Sequence, residues 1–233
     1  MKHYETSKLF YNKFLYKVSF YNSLNTIFRT EFQTKGTLSL AREKIDQLTE
    51  SYRRGVQMAF PVYRTWKDID ENTYLDARHV YACLIRHKEE YRIRVESFGG
   101  ISIFSNNFSF LTKLGNGLRT KRVDIYSPSD EVESLLLKNA NTIVSPVPVH
   151  WPLKITMGKN KRDYSGFANW IRANSDKVKI GEIALQSLDT HGYVSGYYFF
   201  IKSEKILNLI NIMIGDNIRR IDHIIYKEDI DKY

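Results

Sequence analysis

A predicted hairpin brings one aromatic ring and two guanidinium groups to the same side of a β-sheet. Residues 91–97 and 101–105 alternate apolar and polar side chains, and the two glycines between them suit a tight turn. Because side chains alternate across a strand, Arg92, Arg94 and Phe104 are predicted to point away from the aliphatic residues. Bases of single-stranded nucleic acid stack on such rings, and arginines hold the phosphates. The hairpin therefore predicts a nucleic-acid-binding face on which Phe104 is exposed.

The same hairpin also permits a purely structural interpretation. In that case a layer of helices covers the ring of Phe104, and Arg92 forms a surface ion pair with Glu96. The two interpretations differ in one observable quantity, the exposure of Phe104.

A glycine-containing basic loop follows the hairpin, over residues 115–122. It combines two glycines with Arg119, Lys121 and Arg122. Backbone amides of such loops can approach an anion, but the Lys-Ser/Thr pair of a nucleotide-binding P-loop is missing. We predict that these three cations hold phosphates; the alternative is a solvated surface loop.

A second basic loop contains Lys159, Lys161 and Arg162. It directly precedes a predicted helix over residues 164–174, whose N-terminal dipole attracts anions. This loop is assigned to the same predicted nucleic-acid interface, with the same solvated alternative.

Residues 189–197 combine acidic, basic and hydroxyl groups in one polar segment. His191 and Tyr193, together with Lys161, are candidates for the base, acid and cation that metal-independent RNA cleavage requires. A plain polar turn between two strands is the alternative interpretation of this segment.

The sequence predicts neither a metal nor a cofactor. Its histidines are scattered, with no two at metal-ligand spacing beside a carboxylate, and Cys83 is the only cysteine. A disulfide within the chain is therefore excluded, and Cys83 is expected to be a buried thiol. The motifs of serine hydrolases, protein kinases and dinucleotide-binding enzymes are absent from the sequence.

The composition predicts a folded protein with a polyanionic partner. Of the 233 residues 42% are hydrophobic and 14% aromatic, and 35 lysines and arginines against 26 acidic residues give a net charge of +9. Such an excess favours nucleic acid, and acidic proteins are the alternative partners. A+T-rich codons can account for part of the lysine content, and a phage, a virus, an organelle or an A+T-rich bacterium would fit such a composition.

No membrane association is expected from the sequence. No apolar run approaches the roughly 20 residues that cross a bilayer. The N-terminus alternates aromatic and basic residues, unlike the continuous apolar stretch of a secretory signal. These features predict an intracellular location, in the cytoplasm, in a host cell or associated with a virion.

The order of predicted elements indicates an α+β fold, with a mixed or antiparallel sheet and helices on one face. A β-α-β unit closes the chain, and the order is compatible with two ferredoxin-like halves. Three prolines make residues 142–152 the predicted seam between an N-terminal α+β domain, 1–145, and a C-terminal α+β domain, 146–233. One continuous unit is the alternative.

Three hypotheses about function follow. The first is a non-enzymatic nucleic-acid-binding protein for RNA or single-stranded DNA, because sheet-face aromatics and basic loops are predicted but no recognition helix is. The second is a structural or assembly protein of a virion or large complex, with aromatic residues at its contacts. The third is a small metal-independent ribonuclease.

Overall fold

The computed structural model describes the chain over residues 1–29, 38–62, 65–159, 162–190 and 196–233. Across these segments the chain is mixed α and β, with seven α-helices and twelve strands. The predicted α+β class is therefore confirmed. The chain divides into two compact units: the first comprises Met1–Thr6 and Lys13–Ser129, and the second comprises Ser7–Asn12 and Asp130–Tyr233.

The first unit is built on a five-stranded mixed sheet. Its elements are β1 (Lys2–Glu5), β2 (Tyr16–Tyr21), α1 (Leu38–Arg53), β3 (Ala59–Val62), β4 (Thr65–Asp68), α2 (Glu71–Arg86), β5 (Tyr91–Val95), β6 (Gly100–Ser105), α3 (Phe108–Asn116) and β7 (Val123–Ser127). The sheet order is β1-β7-β2-β6-β5, in which β1 is parallel to β7 and the other neighbours are antiparallel. The strands β3 and β4 form a separate antiparallel pair.

The sheet of the first unit has a buried side and a more accessible side, as the alternation in β2 predicts. Val18 is fully buried, whereas its neighbour Lys17 is only half-buried. The helix α3 packs on the buried side, since a Cβ added at Gly115 would lie 3.2 Å from Val123 Cγ1 and 3.5 Å from Val18 Cγ2. We call the side of this sheet opposite α3 the outer face.

Two helices of the first unit begin at side-chain caps. The carboxylate of Asp70 accepts a hydrogen bond from the backbone amide of Thr73 at 2.9 Å, and Asn107 Oδ1 accepts one from the amide of Phe110 at 2.8 Å. These bonds satisfy amides that have no partner inside the helix. Asp70 is therefore the N-cap of α2, and Asn107 is the N-cap of α3.

The predicted hairpin forms as β5 and β6, but its turn is longer than the tight turn expected. A 3₁₀ turn at Ser97–Gly99 joins the two antiparallel strands. Gly99 has a φ of +90°, and a Cβ added there would lie 2.8 Å from Tyr21 Cζ. The turn therefore needs a residue without a side chain at this position.

Replacing Gly99 by alanine is expected to lower the free energy of unfolding by about 1–3 kcal/mol, the usual cost of holding a side-chain residue in a sparsely populated conformation. Urea denaturation measures the change. Gly100→Ala is the matched control, because Gly100 has an ordinary φ of −70°. Equal losses in the two variants would contradict a role for the positive φ.

The second unit is a five-stranded sheet with its own core. Its elements are α4 (Asp130–Lys138), β8 (Thr142–Ser145), β9 (Leu153–Met157), α5 (Ser165–Ala173), β10 (Val178–Ile180), α6 (Glu182–Asp189), β11 (Tyr198–Ile201), α7 (Glu204–Ile214) and β12 (Ile218–Tyr226). The sheet order is β10-β11-β9-β12-β8, with β8 parallel to β12. Side chains of α5, α6 and α7 share one hydrophobic cluster with β9, β10 and β11, which places these helices on one face.

The predicted C-terminal β-α-β unit is confirmed. The strands β11 and β12 belong to the same sheet, and α7 connects them. They are not adjacent, because β9 lies between them and is antiparallel to both. The apolar side of α7 packs into the core through Ile206, Ile210 and Ile214.

The two sheets have the same strand order. The first sheet has the order β1-β7-β2-β6-β5, and the second has the corresponding order β8-β12-β9-β11-β10. In each sheet the first strand in the chain lies at an edge and is parallel to its neighbour, the last strand. All the other neighbouring strands are antiparallel. In the first unit the four strands of the sheet other than β1 follow one another as in a β-α-β-β-α-β domain, whereas in the second unit α6 separates β10 from β11. Each sheet also carries a fifth strand, and the first unit inserts β3 and β4. Ferredoxin-like halves stay a prediction.

The boundary expected at residues 145 and 146 is corrected by the structure. Residues 142–145 form β8, which pairs with β12 in the second sheet, and the longer segment of the second unit begins at Asp130. The prolines misplace the boundary because they follow this edge strand, where their missing amide costs no ladder hydrogen bond.

Candidate nucleic-acid interface

Phe104 is buried, as the structural interpretation of the hairpin predicts, so the interpretation in which its ring is exposed was wrong. The residue is 4% exposed. It does lie on the outer face with Arg92 and Arg94, because its neighbour Ile103 faces the core. The strand β6 is an inner strand, and Phe104 stands opposite Lys17 on one side and Arg92 on the other. Long side chains on both sides can cover a ring with their aliphatic stems.

The first row of the outer face is aromatic and basic. Across the sheet it reads Tyr4, Tyr126, Lys17, Phe104 and Arg92. The rings of Tyr4 and Tyr126 are stacked, with centroids 5.0 Å apart and planes at 17°. The ammonium of Lys17 lies 3.5 Å from the centroid of the Tyr126 ring. This row therefore places a cation directly beside a stacked tyrosine pair.

The second row is polar and charged. It reads Lys2, Asp124, Ser19, Ser102 and Arg94. The hydroxyls of Ser19 and Ser102 lie 2.8 Å apart and share a hydrogen bond. Beside them Asp124 is 7% exposed, and its Oδ1 is buried without a hydrogen bond among the described residues. A buried acceptor without a hydrogen bond is uncommon in proteins, and Asp124 lines the cavity on this face.

Arg122 and Tyr21 border the two rows. Arg122 precedes Asp124 by two residues on the same side of β7, and its Nε donates to Asp124 Oδ2 at 3.2 Å. Tyr21 is exposed and stands opposite Gly100.

A cavity of about 380 Å³ opens on the outer face between β2, β6 and β7. Its polar lining includes Lys17, Ser19, Ser102, Arg122, Asp124 and Tyr126. Ligand pockets in proteins commonly occupy about 300–1,000 Å³. The cavity is therefore of a size for a small group such as a nucleobase.

The charges of the outer face perturb one another. Burial lowers the pKa of Lys17, Glu96 and Asp124 oppose this effect, and Arg94 adds to it. Burial is also the main cause that raises the pKa of Tyr126, and Asp124 adds to it. A phosphate beside Lys17 would stabilise the charged ammonium and raise its pKa, so binding of an anion would offset the cost of burying this charge.

The glycine-containing basic loop differs from its prediction in one respect. Four of its backbone amides are already bound. The carboxylate of Asp76 accepts from the amides of Arg119 at 2.7 Å and Thr120 at 2.9 Å, and backbone carbonyls of α3 accept from the amides of Gly117 and Leu118. The side chains of Arg119, Lys121 and Arg122 are exposed. Phosphate contacts from this loop would thus come from side chains.

The second basic loop belongs to the second unit. Lys159 and Arg162 are exposed, and Arg162 Nη1 lies 3.3 Å from Asp216 Oδ2. Lys161, His191 and Tyr193 lie outside the described residues, and so the predicted ribonuclease site stays a prediction.

The described residues give no support to a metal site. They contain no cluster of three His, Cys, Asp or Glu side chains that could hold an ion. Cys83 is half-buried rather than fully buried, with Sγ 3.6 Å from His79 Nε2, and burial raises the pKa of its thiol. No described helix is long and apolar enough to cross a lipid bilayer.

Sequence reasoning missed the most accessible aromatic residue of the hairpin. Phe98 is 93% exposed at the turn and has a φ of +59°, an uncommon conformation for a bulky residue. Sequence reasoning also did not assign Tyr4, Lys17 and Tyr126 to the candidate site. The alternation of β2 could have identified Lys17, whereas Tyr4 and Tyr126 meet only through the pairing of distant strands.

Comparisons of the chain with protein-family models, with curated proteins and with solved structures found no match.

Proposed function

We propose that the first unit binds single-stranded nucleic acid, RNA or DNA, on its outer face. The observation that carries the proposal is the stacked pair of Tyr4 and Tyr126 beside the ammonium of Lys17. Aromatic side chains on a sheet stack with unpaired bases, and neighbouring cations hold the phosphates.

The charge of the outer face supports a polyanionic ligand. Its two rows and their borders carry five cations against two carboxylates, namely Lys2, Lys17, Arg92, Arg94 and Arg122 against Glu96 and Asp124. The carboxylates neutralise only part of this charge. Arg119 and Lys121 are exposed in the loop that leads to β7, but Arg119 lies near Tyr52 of α1 and does not count toward the outer face.

Hydrogen-bonding groups in the cavity support recognition of a base or a sugar. The Asp124 carboxylate and the Ser19 and Ser102 hydroxyls line the cavity, where a carboxylate can accept and the hydroxyls can donate or accept. Bases in a duplex are stacked on one another and cannot reach these groups, which favours single strands.

Replacing Tyr4 by leucine is expected to weaken binding of a labelled oligonucleotide about 5- to 150-fold, which corresponds to about 1–3 kcal/mol for one lost base–ring stack. Tyr4 is the ring to change because it lies on the edge strand β1, whereas the Tyr126 ring lies between Tyr4 and the Lys17 ammonium. Fluorescence anisotropy measures the affinity, and circular dichroism checks the fold.

The double variant Lys17→Gln and Arg94→Gln provides the electrostatic arm of the same test. The slope of log affinity against log salt is expected to fall by about 1.4, since each phosphate contact of a single strand contributes about 0.7. Lys113→Gln is the matched control, because Lys113 is exposed on α3 and lies away from the outer face. An unchanged slope in the double variant, or no binding by the wild type, would refute the proposal.

A further inference from the structure

The second unit repeats the basic and aromatic row of the first. In the first unit Lys17 on β2 stands opposite Phe104, which stands opposite Arg92. In the second unit the strands at the same places in the sheet carry Lys154 opposite Phe200, and Phe200 opposite Lys179. Each row therefore has a phenylalanine between two cations.

The repeated row also lies on the corresponding side of its sheet. Ile155 and Phe199, the neighbours of Lys154 and Phe200, are fully buried in the cluster that holds α5, α6 and α7. Side chains alternate across a strand, so Lys154 and Phe200 lie on the side opposite these helices. We call this side the second outer face.

The same Arg-x-Asp pair occurs at the start of the last strand in the first unit and within the last strand in the second. Arg122 Nε donates to Asp124 Oδ2 at 3.2 Å, and Arg220 Nε donates to Asp222 Oδ2 at 2.9 Å. Both carboxylates are buried. The aspartates pair with positions that differ by two residues: Asp124 stands opposite Ser19, whereas Asp222 stands opposite Lys154, the counterpart of Lys17. The strand β12 has an irregularity between Ile218 and Arg220.

An accessible aromatic ring lies beside the central lysine in both units. Lys154 Nζ is 4.1 Å from the centroid of the Tyr198 ring, as Lys17 Nζ is 3.5 Å from that of Tyr126. Tyr198 is 48% exposed. The exposed Lys179 adds a second cation to this face.

We propose that the second outer face is a second binding site for single-stranded nucleic acid, so that one chain binds two strand segments. In this site Tyr198 stacks with a base, and Lys154 and Lys179 hold phosphates. The charge of the face and its exposed ring favour this ligand over a protein partner, because both elements complement a phosphate backbone with unpaired bases. The inference rests on the proposed function of the first unit.

The test is a count of bound strands. An oligodeoxythymidylate of about six nucleotides lies in the lower part of the range of site sizes known for small domains. Isothermal titration calorimetry is expected to give two strands per wild-type chain. At a strand concentration that fills only an unweakened site, the double variant Lys154→Gln and Lys179→Gln is expected to bind one strand, and so is the double variant Lys17→Gln and Arg94→Gln.

The outcomes separate the two proposals. One strand per wild-type chain, unchanged by the second-unit variant and lost in the first-unit variant, would overturn this inference and leave the proposed function intact. No binding by the wild type would overturn both. Lys205→Gln on α7 is the control and is expected to retain two strands.

A second variant covers the case in which Lys154→Gln unfolds the second unit. Tyr198→Leu combined with Lys179→Gln changes only exposed side chains, so its fold is expected to survive. It is expected to bind one strand. Two strands bound with wild-type affinity by this folded variant would overturn the inference.

Discussion

Replacing Phe104 by alanine is expected to lower the free energy of unfolding by about 3–5 kcal/mol, the usual cost of removing a buried phenylalanine. The ring is 4% exposed, and it lies between Lys17 and Arg92 on an inner strand. Urea denaturation with an unchanged m-value measures this loss. The affinity of the folded fraction for single strands is expected to stay the same, because so little of the ring is accessible to a base.

Phe98→Ala is the matched control for this experiment. Phe98 belongs to the same hairpin but is 93% exposed, so its removal is expected to change stability by less than about 0.5 kcal/mol. If Phe104→Ala left stability unchanged and weakened binding instead, the ring would be a stacking surface and its burial would be refuted.

Phe104 shows where alternation predicts well and where it fails. The pattern of residues 101–105 correctly assigned Phe104 to the side of Arg92 and Arg94. It could not predict exposure, because exposure depends on whether the strand is at an edge or inside the sheet. A pattern within one hairpin contains no information about β2, which pairs with the other side of β6.

Elements with strong local signals were predicted from the sequence. The helix α3 has a capping asparagine and an apolar side. Along β11, α7 and β12 the spacing of apolar residues changes from that of a strand to that of a helix and back. By contrast β1 was missed. It is a short, mostly exposed edge strand that is defined by parallel pairing with β7, and long-range pairing leaves little trace in local sequence.

The candidate site is largely a product of such long-range pairing. Tyr4 and Tyr126 stack because β1 pairs with β7, and Lys17 reaches Tyr126 because β2 pairs with the same strand. The basic residues of the hairpin and loop were predicted individually, but the tyrosines that give the face its stacking capacity were not.

The similarity of the two units is visible in strand order but not in the sequence. Only scattered positions agree, such as Lys17 with Lys154 and the Arg-x-Asp pairs of β7 and β12. The connections also differ, since α6 separates β10 from β11 whereas a short turn joins β5 to β6. With differences of this size, the sequences of the two units show no periodic similarity, whereas the strand order of the two sheets is the same.

Replacing Asp76 by alanine is expected to lower the free energy of unfolding by about 2–5 kcal/mol, because two backbone amides lose a buried charged acceptor. Asp76 lies on α2, is 2% exposed, and accepts from the amides of Arg119 and Thr120. These bonds fasten the loop between α3 and β7 to the helix layer. Chemical denaturation measures the loss, and hydrogen exchange at the two amides is expected to become faster.

Asp76→Asn is the control that separates the acceptor from the charge. The asparagine side chain keeps one carbonyl oxygen, so one of the two amides retains its hydrogen bond and the loss of stability is expected to be smaller than in Asp76→Ala. Because the loop leads directly to Arg122 on the outer face, its release in Asp76→Ala is also expected to flatten the salt dependence of binding. Exchange rates at Arg119 and Thr120 that match the wild type in Asp76→Ala would contradict this role, since the carboxylate would then not be what holds the loop.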